Sequence, residues 1–186
     1  MALEWNALLR DQVDWLWAHQ WRARLDGLTD EQYFWEPAPG AWSVRPRAEA
    51  TTAMAAGTGD LVIDFEFPAP EPPPVTTIAW RLGHIVVGVL AMRVAGHFGG
   101  PPVDYGSHRY APTAQEAVAQ LDDAYAAWTA GVRGLGEAGL AEPCGPTEGP
   151  FAAEPMGVLV LHINRELLHH GAEIALLMDL HDARSG

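Results

Sequence analysis

Apolar residues recur at helical spacing in four stretches of the chain, separated by proline and glycine. In the first, from Leu3 to Asp26, Trp5, Leu8, Leu9, Val13, Leu16 and Trp17 return every three or four residues, with Arg10, Asp11 and Arg22 between them. That spacing predicts an amphipathic helix. The second stretch opens at "TTIAW", where Thr76 or Thr77 can serve as N-cap, and continues to about Phe98, just before "GGPP". The third opens at "PTAQEA": Thr113 and Glu116 have the spacing of a capping box, and the glycines after Val132 mark the predicted end. The fourth runs from about Pro155 to about Asp179. No alternating apolar and polar run long enough for a strand separates these stretches. The pattern predicts an all-α protein built as a helix bundle.

The connection from Glu36 to Val75 breaks the pattern, being far longer than the few residues that usually join bundle helices. Its "PAPGAWSVRPR" and "PAPEPPP" segments hold too much proline for helix, and the second predicts an extended, polyproline-like chain crossing a surface. Trp35 and Trp42 are the expected anchors of its first part on the bundle.

A length of 186 residues suits a single domain, 1–186, with one core. Eleven Lys and Arg against 24 Asp and Glu leave a formal charge of -13, a field that repels phosphate backbones and anionic lipid, so neither nucleic acid nor a membrane is the expected partner. Cys144 is the only cysteine; it excludes an internal disulfide framework and a cysteine-rich metal site, and fits a reducing cytosol. The N-terminus, "MALEWNALLRDQVDW", lacks an uninterrupted apolar segment, and no stretch approaches the roughly 18 apolar residues of a spanning helix. A cytoplasmic protein acting on a small molecule is the expectation, and exposed apolar helix surface leaves a homodimer open.

Candidate chemistry sits in "ELLHHGAEI", Glu166 to Ile174. On a helical wheel, Leu159, Ile163, Leu167, Ile174 and Leu177 form the face expected to meet the core, and Glu166 and His170 fall on the same face, one turn apart. An ionised carboxylate on a core face costs several kcal/mol unless a charge or metal compensates it. Arg165 points away on this wheel. In the second helix, "WRLGHIVVGVLAM" is apolar on nearly every side from Leu82 to Met92 apart from the imidazole of His84, with Trp80, Val87, Gly88 and Ala91 beside it. A His, a Glu and a His from two helices form a three-ligand set with open positions for water or substrate, suited to zinc or nickel. Glu173 is placed to orient an imidazole N–H from outside the ligand set, and His169 could compete with His170 for the ligand role. His162, His169 and His181 are expected on flanks or exposed. The plainer alternative is that His84 is a hydrogen-bonded core residue and Glu173 a surface acid.

Across nearly the whole chain, "LTDEQYFWEPAPGAWSVRPR", "TTIAWRLGHI" and "HINRELLHHGAEIALLMDL" resemble the DinB-like superfamily, which overlaps with mycothiol-dependent maleylpyruvate isomerases. The resemblance implies a four-helix bundle in up-down-down-up order, with a divalent metal held by a histidine of the second helix and an H-x-x-x-H pair of the fourth. His84 matches the first ligand and His170 the last. Glu166 replaces the middle histidine, as in the E-x-x-x-H variant of the superfamily.

For function the resemblance implies a transferase or isomerase using a low-molecular-weight thiol, mycothiol or bacillithiol, whose thiolate a metal could activate. Two alternatives stand beside it: a hydrolase using metal-bound water with Glu166 or Glu173 assisting proton transfer, and a non-catalytic stress or ligand-binding protein. No catalytic residue is assigned from sequence.

Overall fold

A computed structural model describes residues 3–184. Among them the chain is mostly helical, with one two-stranded sheet. The first helix is α1, Trp5–Leu16, which widens into a π-helical turn over Trp17–Trp21 and tightens to 3₁₀ over Arg22–Gly27, so the predicted long first helix is α-helical only in its first half. A short helix, α2, follows at Asp30–Phe34; Thr29 and Gln32 close a reciprocal capping box at its start. The second bundle helix, Ile78–His97, comprises α3 (Ile78–His84), a π-helical segment (Ile85–Ala91) and α4 (Met92–His97). Of its two candidate caps, Thr77 serves: its hydroxyl accepts from the Trp80 N–H at 3.1 Å.

α5 spans Ala114–Ala141 and begins as the sequence predicts, Thr113 accepting from the Glu116 N–H. It breaks at Gly136, where φ is 58° and ψ is -168°, among the glycines after Val132 that mark its predicted end, and a second helical stretch then runs on to Ala141 and buries Leu140. α6 spans Met156–Arg184, longer at its C-terminus than the periodicity predicts.

α5 and α6 each pack against α1 and against Ile78–His97, and against one another. Leu82, Ile85, Leu90, Leu121, Trp128, Ile163, Leu167 and Ile174 fill the space between them. Ile78–His97 is long and apolar enough to cross a membrane by length and composition, contrary to the expectation from the sequence. Half of its most apolar window is buried inside the protein, against α5 and α6.

Between Glu36 and Val75 lie two short antiparallel strands, β1 (Val44–Pro46) and β2 (Leu61–Ile63), with Val44 opposite Ile63. The sequence reading missed them, since three residues are too few to show alternation. The fully buried Asp64 carboxylate ties this segment together, accepting from the Ser43 N–H at 3.0 Å, Arg45 Nε at 2.7 Å and the Thr51 N–H at 3.2 Å. The Asp64 carbonyl then accepts from Trp80 Nε1 at 2.8 Å, fixing the segment to the helix that carries His84. Trp42 joins the same contact, its ring 6.1 Å from that of Trp80.

Candidate metal centre

His84 ends α3 at the point where the helix turns π-helical, and π-turns inside helices frequently mark functional sites. The imidazole is held on two sides. Its ring stacks on Trp80 at 5.2 Å and 18°, and its Nδ1 shares a 2.6 Å hydrogen bond with the Tyr105 hydroxyl. Burial, then the neighbouring His170 and Arg81, push its pKa down to about 3, so the ring is neutral near pH 7, the form that ligates metal.

From α6, His170 reaches the same place. Its ring meets that of His84 edge to face, with centroids 4.9 Å apart. His170 Nδ1 lies 2.7 Å from Glu173 Oε2 and 3.4 Å from Arg81 Nη1. The two neighbours make opposite demands, since the carboxylate needs an N–H and the guanidinium needs a lone pair. The much shorter carboxylate contact decides the tautomer: Nδ1–H donates to Glu173, and Nε2 keeps its lone pair. Arg81 instead pairs with the other oxygen of Glu173 at 3.1 Å. Burial lowers the pKa of His170, which the Glu173 hydrogen bond opposes; the same burial lowers that of Arg81.

Glu166 is half-buried, one turn before His170, its Oε2 3.4 Å from His170 Nε2. That distance is too long for a strong charge-assisted hydrogen bond, so the two donor atoms face each other without satisfying each other. One donor atom from each of His84, Glu166 and His170 lies within 4.8 Å of the others. Two imidazole nitrogens and a carboxylate oxygen are a donor set that fits a divalent transition metal. The second nitrogens of both rings are already engaged, by Tyr105 and Glu173, which is how protein partners orient metal-binding histidines.

The structure brings together the three residues singled out in the sequence and places Glu173 against His170. His169 stands outside the convergence: its side chain is 62% exposed and its Nε2 lies 3.4 Å from Glu173 Oε1. His169, His170 and Glu173 form a second group with donor atoms within 4.8 Å, but it draws on the Glu173 carboxylate that already accepts from His170 and Arg81. His181, expected on a flank, is buried at 7% exposure with its ring edge-on to Trp35. Arg165 does reach Glu166, contrary to the wheel, because its long side chain folds back to 3.5 Å from Oε1.

Tyr105 and Arg81 were not found from the sequence. Tyr105 lies in a connection where no periodicity places a side chain. Arg81, a cation one turn before His84 in a largely apolar helix, carried a signal that could have been used.

Searches of curated proteins and of solved structures give no match. A family profile described as the DinB superfamily matches residues 12–174, a span that includes the helices bearing His84, Glu166 and His170, and the chain belongs to that superfamily.

Proposed function

We propose that the chain is a divalent-metal-dependent enzyme, with zinc or nickel held by His84, Glu166 and His170, acting as a transferase or isomerase with a low-molecular-weight thiol such as mycothiol or bacillithiol. The observation that carries the metal assignment is the convergence of three donors, two of them on imidazoles whose other nitrogens are engaged. Membership of a superfamily whose members generally bind divalent metals supports it. When bound, such a cation supplies Lewis acidity and lowers the pKa of a thiol it coordinates. The chain's own residues hold the site in register: Trp80 and Tyr105 fix the plane of His84, and Glu173, steadied by Arg81, holds the proton on His170 Nδ1.

An external thiol is favoured by the state of Cys144. It is buried, and burial followed by Glu148 and Glu154 pushes its thiol pKa up, the reverse of what a thiolate nucleophile needs. The same reading includes one domain over 1–186, supported by a single connected core from Val13 to Met178. It also includes up-down-down-up order. Ile78–His97, 20 residues long, spans about 30 Å, and the connection 98–113 can stretch to roughly 50 Å, enough to return along the bundle and start α5 parallel to it.

The test is elemental analysis of purified protein and of His84→Ala, followed by turnover assays on electrophiles with and without added thiol. About one zinc or nickel per chain in the parent and none in the variant is expected, with turnover only when thiol is present. Absence of metal uptake would sink the proposal, and turnover without thiol would move it to hydrolysis.

A further inference from the structure

A cleft of about 590 Å³ opens beside α6, lined by its residues before Glu166 and by residues of the 3₁₀ turn Pro146–Phe151. Phe151, Val158 and Leu161 line it with 66%, 46% and 55% of their surface exposed, an apolar wall that none of the described residues covers. One basic residue of the lining, Arg93, is already neutralised. Its Nε lies 3.3 Å from Glu148 Oε1, and the same carboxylate oxygen lies 2.8 Å from His97 Nε2. Glu154 adds a further acid before the first turn of α6.

The opposite charge stands about three turns along, at Arg165. Its side chain is 71% exposed, and its neighbours are His162 Nδ1 at 2.5 Å and Glu166 Oε1 at 3.5 Å. Glu166 thus faces two ways, with Oε2 toward His170 and Oε1 toward Arg165 and the cleft. A carboxylate engaged by a metal is a weaker partner for a guanidinium, so loading the site leaves the exposed Arg165 free to take another anion. The chain's field does not draw anions, since its eleven basic residues, all arginines, face 24 acids. Preference for an anion in this cleft has to come from Arg165 itself.

We infer that this cleft is the substrate-binding cleft of the metal centre, an inference that rests on the metal reading above for its functional meaning. It takes a molecule with an apolar body and one carboxylate. The carboxylate lies on Arg165, beside Glu166, and the body extends along Leu161, Val158 and Phe151, away from the site. The acids at Glu148 and Glu154 disfavour the reverse orientation and a second negative charge at the far end.

Calorimetric titration of the full chain, zinc-loaded and metal-free, with phenylacetate and its neutral analogue phenylacetamide tests this. The acid is expected to bind the zinc-loaded protein about tenfold more tightly than the amide, as a charge-assisted hydrogen bond allows. Arg165→Gln should bring the acid to the level of the amide, and Val158→Asp should weaken the acid while leaving zinc affinity, read by chelator competition, in place. Equal affinities for acid and amide in the parent would overturn the inference. So would a zinc-dependent acid preference that survives in Arg165→Gln, which would put the carboxylate on the metal. No zinc uptake together with an Arg165-dependent acid preference would remove the metal reading and keep the ligand class of the cleft.

Discussion

The α-carbon of Gly88 leaves open the space that the Tyr105 hydroxyl fills: a methyl group there would overlap that oxygen, which lies 2.6 Å from His84 Nδ1. A glycine in a helix interior costs about 1 kcal/mol relative to alanine, so this position favours a contact over helix stability. Gly88→Ala should therefore expel Tyr105 from His84. Tyr105→Phe removes only the hydroxyl, and loss of such an orienting partner lowers metal affinity by about 10- to 100-fold. Competition with a chromogenic chelator should show both variants weakened. Unchanged affinity in Tyr105→Phe would mean that the stacking of Trp80 alone orients the ring.

The two overlapping donor groups on α6 are separable. His84→Ala and Glu166→Gln should abolish tight binding of zinc or nickel, whereas His169→Ala should retain it, because His169 belongs only to the group that spends Glu173. Metal-to-protein ratios after dialysis decide the matter. Loss of metal in His169→Ala, with retention in His84→Ala, would move the ion to the His169, His170 and Glu173 group.

Metal should also stabilise the fold. At metal concentrations a hundredfold above the dissociation constant, binding contributes about 2.7 kcal/mol, equivalent to roughly 5–10 °C in melting temperature for a chain of this size. Chelation should lower the melting temperature of the parent by that order and that of Glu166→Gln far less. Equal melting temperatures of the parent with and without chelator, and no metal found beforehand, would return Glu166 to an ordinary helix acid.

Acid should destabilise the metal-free protein through its buried and half-buried imidazoles. His84, His170 and His108 all have folded-state pKa values lowered from 6.5, with burial the largest cause in each. The unfolded chain then binds more protons below that value, so stability is held above about pH 6.5 and lost as pH falls toward the folded values, by at most about 1.4 kcal/mol per pH unit for each group. Carboxylates titrate over part of the same range, so the comparison is with His84→Asn. Chelated parent should lose more melting temperature than this variant between about pH 7 and pH 5. An identical loss in both would show that His84 is not held neutral.

The segment before the second helix is held by Arg45, which pairs with the buried Asp64 and with Glu36. Arg45→Met would strand the fully buried Asp64 carboxylate without its cation, at a cost of about 3–5 kcal/mol by the measure of broken buried pairs. Chemical denaturation should show that loss. Because Asp64 also accepts from Trp80, the stacking on His84 should loosen with it, visible as weaker metal binding. A loss within a few tenths of a kcal/mol would mean that the two backbone N–H groups on Asp64 compensate its charge alone.

Amino-acid order by itself determined where the four long helical stretches lie and the spacing of residues along them, though not the short helix Asp30–Phe34. Periodicity sets which side of a helix is apolar, so the four helical stretches, the Thr113 cap and the one-turn offset of Glu166 from His170 followed from local geometry alone. His84 was legible because a lone imidazole interrupts an apolar helix. Tertiary structure decided everything that depends on residues far apart in the chain. It added a second helical stretch beyond the break at Gly136, with Leu140 buried, and packed Phe98 against Gly131. It paired Val44 with Ile63 around Asp64, brought Tyr105 into the space left by Gly88, and set His84 of one helix against Glu166 and His170 of another. Such contacts are fixed by packing between segments, and packing leaves no period in the sequence of either one.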